Sequence, residues 1–349
     1  MKYSIIVPVY NRPDEVEELL SSLCEQTVQT FDVHIVEDGS DIPCKAVCDR
    51  FADRLPLHYY VKPNGGPGAA RNYGAECATG DYLIVLDSDV VLPPGYIAAI
   101  DEELKTTCDA FGGPDRAHPD FTCVQKAISY SMTSFFTTGG IRGGARKLDR
   151  FYPRSFNMGV SRELWQRLGG FRARRFGEDI DFSYRICDSG ARCRLFPEAW
   201  VWHKRRTDFR KFFRQVYNSG VARINLHLLH PGTMKLVHLL PALFTLGCLS
   251  LLILFAWGVL LFFFGPDHMN QAFGFALSEL SLLPLLLFAI IIFVDSSIRN
   301  RSLRVGLLSI PAAFIQLIGY GTGFLNAFMK RIVLKQKDEG FDNNEKLYR

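Results

Sequence analysis

The sequence predicts an α/β fold, a doubly wound sheet of parallel strands with helices on both faces, followed by C-terminal transmembrane helices. Two observations carry this expectation. Short β-rich apolar runs alternate with helical patterns from the first residues onward, as a wound parallel sheet requires, and composition turns sharply apolar near residue 235. At 349 residues the chain has room for one sizeable α/β domain and a smaller appendage. Its formal net charge of +4 is too modest for a nucleic-acid partner.

The elements follow in order. Ser4 to Val9 is a continuous apolar run suited to a strand buried on both faces. Asn11 is the candidate cap of a helix with Pro13 in its first turn and Val16, Leu19, Leu20 and Leu23 on one face. Phe31 to Val36 and Leu57 to Val61 read as strands around a helix at Ile42 to Phe51, and Ala69 to Cys77 reads as a helix before a strand at Tyr82 to Leu86. The nine cysteines are an odd set without a CxxC pair, which fits reduced thiols, and the N-terminus carries no pattern of a secretion signal.

In such sheets ligands gather beyond the carboxyl ends of the strands, and the loops there are acidic. Glu37-Asp38-Gly39-Ser40 follows the second strand, and Asp87-Ser88-Asp89 follows the fourth. Two carboxylates one residue apart are hard oxygen ligands for Mg²⁺ or Mn²⁺. The same spacing is common in surface turns, and here the place directly after a buried strand favours the metal reading. Between these loops, Asn64-Gly65-Gly66-Pro67-Gly68-Ala69-Ala70-Arg71 is a glycine-rich turn opening a helix, with Arg71 available to phosphate or a base; an ordinary tight connection has the same composition. Gly177-Glu178-Asp179-Ile180-Asp181 sets three carboxylates at a helix start, where they serve the helix dipole or supply a general base.

Taken together, these pieces resemble the family 2 glycosyltransferases, inverting enzymes with a GT-A fold, of the Rossmann-like nucleotide-diphospho-sugar transferase type. The resemblance rests on Ile5-Ile6-Val7-Pro8-Val9-Tyr10-Asn11, Val36-Glu37-Asp38-Gly39-Ser40, Gly68-Ala69-Ala70-Arg71-Asn72, Asp87-Ser88-Asp89 and Gly177-Glu178-Asp179, in order over about residues 1 to 210. It implies a nucleotide-sugar donor (UDP-, GDP- or dTDP-linked) held by Pro8, Tyr10, Glu37, Asp38, Arg71, Asp87 and, more weakly, Asn157. It implies a metal on Asp87, Asp89 and His203, and catalysis by Asp179 with Glu178 beside it. Glu37 stands where the family usually has a second aspartate. The chain also lacks the QxxRW motif of processive polysaccharide synthases, since Gln215 to Ser219 has no Arg-Trp, which favours transfer of a single sugar. A processive synthase subunit and a non-catalytic nucleotide-sugar-binding or assembly protein are the rival readings.

The division expected is a catalytic domain at 1–230, a membrane domain of two to three helices at 236–328, and a polar tail at 329–349. Leu236 to Phe264 is a membrane span by length and composition. Phe273 to Val294 and Val305 to Phe328 follow, the third with Pro311 inside it. The loop carrying Arg299, Arg301 and Arg304 belongs in the cytoplasm by the positive-inside rule, with the N-terminal domain on the same side of an inner (plasma) membrane. Lys330, Arg331, Lys335 and Lys337 also favour the inside, which conflicts with a third full span. A basic, aromatic stretch from Lys204 to Tyr217 is expected to lie on an anionic membrane and meet a lipid-linked or glycan acceptor. The glycine-rich segment with Arg142 and Arg146 is read as a mobile loop closing over substrate, with a surface loop the equal reading on composition.

Overall fold

The computed structural model describes residues 1–118, 120–139, 151–172 and 177–337; the segment with Arg142 and Arg146 lies outside the described residues. Contacts divide the chain into two units, one within Met1–Pro119, Arg146–Lys204 and Lys337–Arg349, the other within Asp120–Ala145 and Arg205–Gln336. The elements run β1 (Tyr3–Val9), α1 (Pro13–Cys24), β2 (Phe31–Asp38), α2 (Lys45–Phe51), β3 (Leu57–Lys62), α3 (Gly66–Cys77), β4 (Tyr82–Leu86), β5 (Val90–Val91) and α4 (Tyr96–Glu103). Then come β6 (Ala110–Gly112), β7 (Asp115–Arg116), α5 (Cys123–Thr133), α6 (Phe135–Thr138), β8 (Asn157–Ser161), α7 (Arg162–Leu168), α8 (Glu178–Asp188), β9 (Cys193–Leu195) and β10 (Val201–His203). Four helices close the series: α9 (Phe209–Leu229), α10 (Leu240–Phe264), α11 (His268–Asn300) and α12 (Leu303–Phe328).

The first unit holds a seven-stranded sheet in the order β3-β2-β1-β4-β8-β6-β9. Strands β1 to β4 are parallel, as their apolar runs require, because such runs are buried on both faces. Beyond β4 the sheet is mixed: β8 runs antiparallel to β4, with Leu86 opposite Asn157 and Leu83 opposite Val160. A smaller sheet, β5-β10-β7, stands beside it.

Asn11 does not cap α1. Its φ of +54° is left-handed, its side chain accepts from Ile42 N at 2.9 Å, and its own N–H donates to Ser40 Oγ at 2.8 Å. The residue thus ties the loops after β1 and β2 together, and α1 begins without a side-chain cap. Helix α2 is shorter at its start than its pattern suggested, since Pro43 and the bond from Ile42 hold that segment out of the helix.

The second unit takes in α5, α6 and α9 together with three helices long and apolar enough to cross a membrane, at Leu236–Phe264, His268–Asn300 and Leu303–Val333. Leu243, Leu252, Leu260 and Phe263 on α10 are exposed, an apolar surface suited to lipid. Part of the apolar side of α9 is taken up within this unit, with Phe212 and Val216 buried in a cluster with Ile128, Met132, Ile315 and Tyr320, while Phe213 is exposed. Glycines allow the close approach. A Cβ on Gly323 would stand 2.1 Å from the Tyr217 carbonyl oxygen, and one on Gly220 would stand 2.2 Å from that of Tyr320.

In the first unit, Gly159 on β8 faces the Phe111 ring, where a Cβ would come within 2.1 Å of Cζ. Phe111 is fully buried and stacked on Phe196 at 4.4 Å between ring centroids, so it has nowhere to move. Gly159→Ala is therefore expected to cost about 1–3 kcal/mol by overpacking. A lowered melting temperature of the detergent-solubilised protein checks this; an unchanged one would show that the ring yields.

Candidate active site

Asp38 ends β2, and its carboxylate accepts from the backbone N–H groups of Gly65 (2.9 Å) and Gly66 (2.8 Å) while pairing with Lys62 Nζ at 2.6 Å. An anion here answers the partial positive charge at the start of α3. Gly39, at φ +71°, lets the two loops touch, because a Cβ would stand 2.7 Å from the Asn64 nitrogen. Glu37 turns the other way: it is 1% exposed and accepts from Ser40 Oγ, Cys44 N (2.9 Å) and Tyr59 OH (3.1 Å). It organises the loop after β2. Pro8 is half-buried within β1, and Tyr10, just past the strand, exposes its ring.

The turn after β4 holds Asp87 and Asp89, and strand pairing delivers the third member. Strand β10 runs antiparallel to β5 with His203 opposite Val90, and Lys204 N donates to the Asp89 carbonyl at 3.0 Å. His203 Nε2 thereby comes 3.3 Å from Asp89 Oδ1, its ring stacked on Phe156 at 4.9 Å. Asp87, Asp89 and His203 each offer a ligand atom, all within 4.8 Å of one another. Two carboxylates and an imidazole form a donor set that suits Mn²⁺ or Mg²⁺, so the residues fit a divalent ion. Arg12 Nη1, at 2.8 Å from Asp89 Oδ2, adds a cation at the edge of this group.

Arg71 on α3 links this cluster to the acidic helix start. Its guanidinium meets Asp87 Oδ1 at 2.8 Å and Glu178 Oε1 at 3.2 Å. Asp179 is held by Arg154 Nε at 2.9 Å. Burial, and then the Asp179 carboxylate, push the Glu178 carboxyl up to about 7 against the pull of Arg71. Burial opposes ionisation of Asp179 as well, but Arg154 and Arg71 outweigh it and hold that carboxyl below its ordinary range. One acid of the pair thus remains ionised at neutral pH while its neighbour titrates close to it.

Asp38, Arg71, Asp87, Asp89, Glu178, Asp179 and His203 therefore gather beyond the strand ends, whereas the Asn157 side chain is engaged inside the sheet. It is fully buried, accepting from Tyr96 OH at 2.7 Å and donating to the Ala199 carbonyl at 2.8 Å. Sequence reasoning passed over Arg12, Lys62 and Arg154. Lys62 ends β3 and Arg12 stands in the loop after β1, beside the acidic loops, so their position was a usable signal; Arg154 gave none.

A mixed sheet with these acidic strand ends defines a GT-A type fold. Residues 4–168 match the model of glycosyl transferase family 2, so a little under half of the chain is similar to that family's domain. Among curated relatives, it is 27% identical over 255 residues to a pre-mycofactocin glycosyltransferase of Mycobacterium tuberculosis, covering 65% of this chain and 48% of the relative. It is 33% identical over 97 residues to a minor teichoic acid biosynthesis protein of Bacillus subtilis, covering 27% of this chain and 11% of the relative. The chain spans less than half the length of the curated relatives it matches. A mannosyltransferase from Pyrobaculum calidifontis, solved with GDP-Man and Mn²⁺, shares the fold at a TM-score of 0.54 and 18% identity over 93% of this chain and 87% of that one.

The raised Glu178 carboxyl has a sign that can be tested. The folded protein holds that proton more tightly than the unfolded chain does, so ionisation destabilises the fold increasingly as pH rises from the ordinary carboxylate range through about 7. Glu178→Gln is expected to raise the melting temperature relative to wild type at about pH 9 and to lose that advantage at about pH 5. An equal difference at both pH values would count against the shift.

Proposed function

We propose that this chain is a metal-dependent, inverting glycosyltransferase that moves a sugar from a nucleotide-diphosphate donor to a membrane-associated acceptor, a lipid-linked or surface-glycan precursor. The observation that carries the reading is the meeting of Asp87, Asp89 and His203 beyond β4, joined through Arg71 to Glu178 and Asp179. Asp87, Asp89 and His203 would hold Mn²⁺ or Mg²⁺, which when bound would supply positive charge for a departing diphosphate. The GDP-Man and Mn²⁺ named for the mannosyltransferase of like fold support a nucleotide-sugar and a divalent ion, and the teichoic acid relative supports a cell-surface glycan product.

The protein's own groups divide the remaining work. Tyr10 offers an exposed ring for a nucleotide base, with Pro8, Glu37 and Asp38 shaping the loops around it. Asp87 lies toward ribose or donor sugar, and Asn157 supports the wall beneath it. Asp179, ionised through Arg154 and Arg71, accepts the proton of the acceptor hydroxyl as that oxygen attacks the anomeric carbon. A single attack inverts the carbon and releases the nucleoside diphosphate with the bonding electrons.

Residues 1–230 form the catalytic domain in this reading and 236–328 a membrane domain, with 329–349 a polar tail. The basic loop of Arg299, Arg301 and Arg304 lies in the cytoplasm, and the catalytic domain is on that side of the plasma membrane.

Nucleoside diphosphate release from a panel of nucleotide sugars, with membrane lipid extract as acceptor, tests the proposal. Turnover is expected with Mn²⁺ and not with EDTA. Asp179→Asn is expected to lower kcat by about 10²-fold or more while keeping donor binding, whereas Asp89→Asn weakens donor binding with metal. Undiminished turnover in Asp179→Asn would remove that residue from catalysis, and donor binding without turnover in wild type would favour a non-catalytic protein.

A further inference from the structure

A second group of metal-ligating side chains stands at the other end of the sheet. Asp32 and His34 are two residues apart on β2, so they share one face, and parallel pairing sets His58 of β3 directly beside His34. The six residues from Asp32 to Asp38 along β2 put this face about 20 Å from the strand end that carries the candidate active site. Asp32 Oδ1, His34 and His58 offer ligand atoms within 4.8 Å of one another.

The surroundings are those of a built site. Asp32 Oδ1 and His34 Nε2 are 3.0 Å apart, close to the separation of two ligands sharing one ion at about 2.0–2.1 Å. The other carboxylate oxygen of Asp32 is held by Lys2 Nζ at 2.8 Å, and the far nitrogen of His34 faces Tyr60 OH at 3.4 Å. Both contacts orient their ligands from behind, as outer partners of metal ligands do. Asp32 and His34 are buried and fixed on strands, while His58 is exposed and its ring is stacked on that of His34 at 4.9 Å. The exposed His58 ring would have to turn about its side-chain bonds to bring a nitrogen to an ion held there. A hollow of about 500 Å³ lined by Lys2, Gln29, Phe31, Asp32, Pro56 and His58 adjoins the group, which leaves room for water at a fourth position.

We propose that Asp32, His34 and His58 form a binding site for a borderline transition-metal ion, Zn²⁺ above all, separate from the Asp87–Asp89–His203 cluster. Two imidazoles and one carboxylate are a Zn²⁺ donor set, whereas the oxygen-richer cluster after β4 suits Mg²⁺ or Mn²⁺. An ion here clips β2 to the edge strand β3 and stabilises the folded state by mass action.

The test uses the full chain in detergent carrying Asp87→Asn and Asp89→Asn, titrated with Zn²⁺ by calorimetry and with Co²⁺ by visible ligand-field absorption, with melting temperature followed in parallel. One equivalent of each ion is expected to bind and raise the melting temperature. His58→Ala, at an exposed position that leaves the fold intact, is expected to abolish this binding, and Tyr60→Phe to weaken it about tenfold or more. No binding in the Asp87→Asn, Asp89→Asn protein, or binding that survives both His58→Ala and Asp32→Asn, would overturn the proposal.

Discussion

A buried guanidinium has to be neutralised where it lies, because removing its charge partners from reach would leave an uncompensated ion out of water. Arg71 is 3% exposed and is neutralised twice, by Asp87 at the end of β4 and by Glu178 at the start of α8. The consecutive elements α3 and β4 are thereby locked to α8, about a hundred residues later, at the sheet's carboxyl edge. Asp179 follows Glu178 on the same helix, and Asp87 shares its turn with Asp89. Asp87 and Glu178 thus share one cation, while Arg12 and Arg154 hold Asp89 and Asp179, and Arg71 counters the burial and the repulsion from Asp179 that raise the Glu178 carboxyl.

Asp38 does for the neighbouring loops what Arg71 does for the acids. Its carboxylate is satisfied by two backbone N–H groups and Lys62, so it fixes the entry of α3 from which Arg71 projects. Beyond the strands the charges are consequently paired in turn, Lys62 with Asp38, Arg71 with Asp87 and Glu178, and Arg154 with Asp179. Such pairing holds side chains in place because each member has lost its freedom to a partner. The second unit draws its cohesion from a different source. Its glycines let α9 and α12 approach to backbone contact, and side-chain bonds such as Tyr130 OH to Asp295 at 2.7 Å and Ser296 to Ser309 at 2.7 Å tie α5, α11 and α12.

Much of this was legible in the sequence because local chemistry repeats along it. Buried parallel strands require uninterrupted apolar runs, so β1, β2 and β4 were visible together with the acidic loops that follow them. Apolar stretches of membrane length need no tertiary context, and the first two were plain; the third, broken by Pro311 and rich in glycine, acquires its continuity as α12 from packing against α9. Asn11 misled because asparagine serves equally as a helix cap and as a left-handed turn residue, and only the neighbouring loop at Ser40 and Ile42 decides between them.

The sequence alone determined which residue types stand at the strand ends, and therefore which chemistry is available there. What only the tertiary structure decided is which of them meet. Antiparallel pairing of β10 with β5 brings His203 to Asp89, a consequence of two short strands whose patterns are too brief to read. The direction in which Glu37 turns, the seclusion of Asn157, and the division of Arg71 between two carboxylates are likewise settled by burial. Each charge or amide lies where it finds a partner, and those partners come from distant parts of the chain.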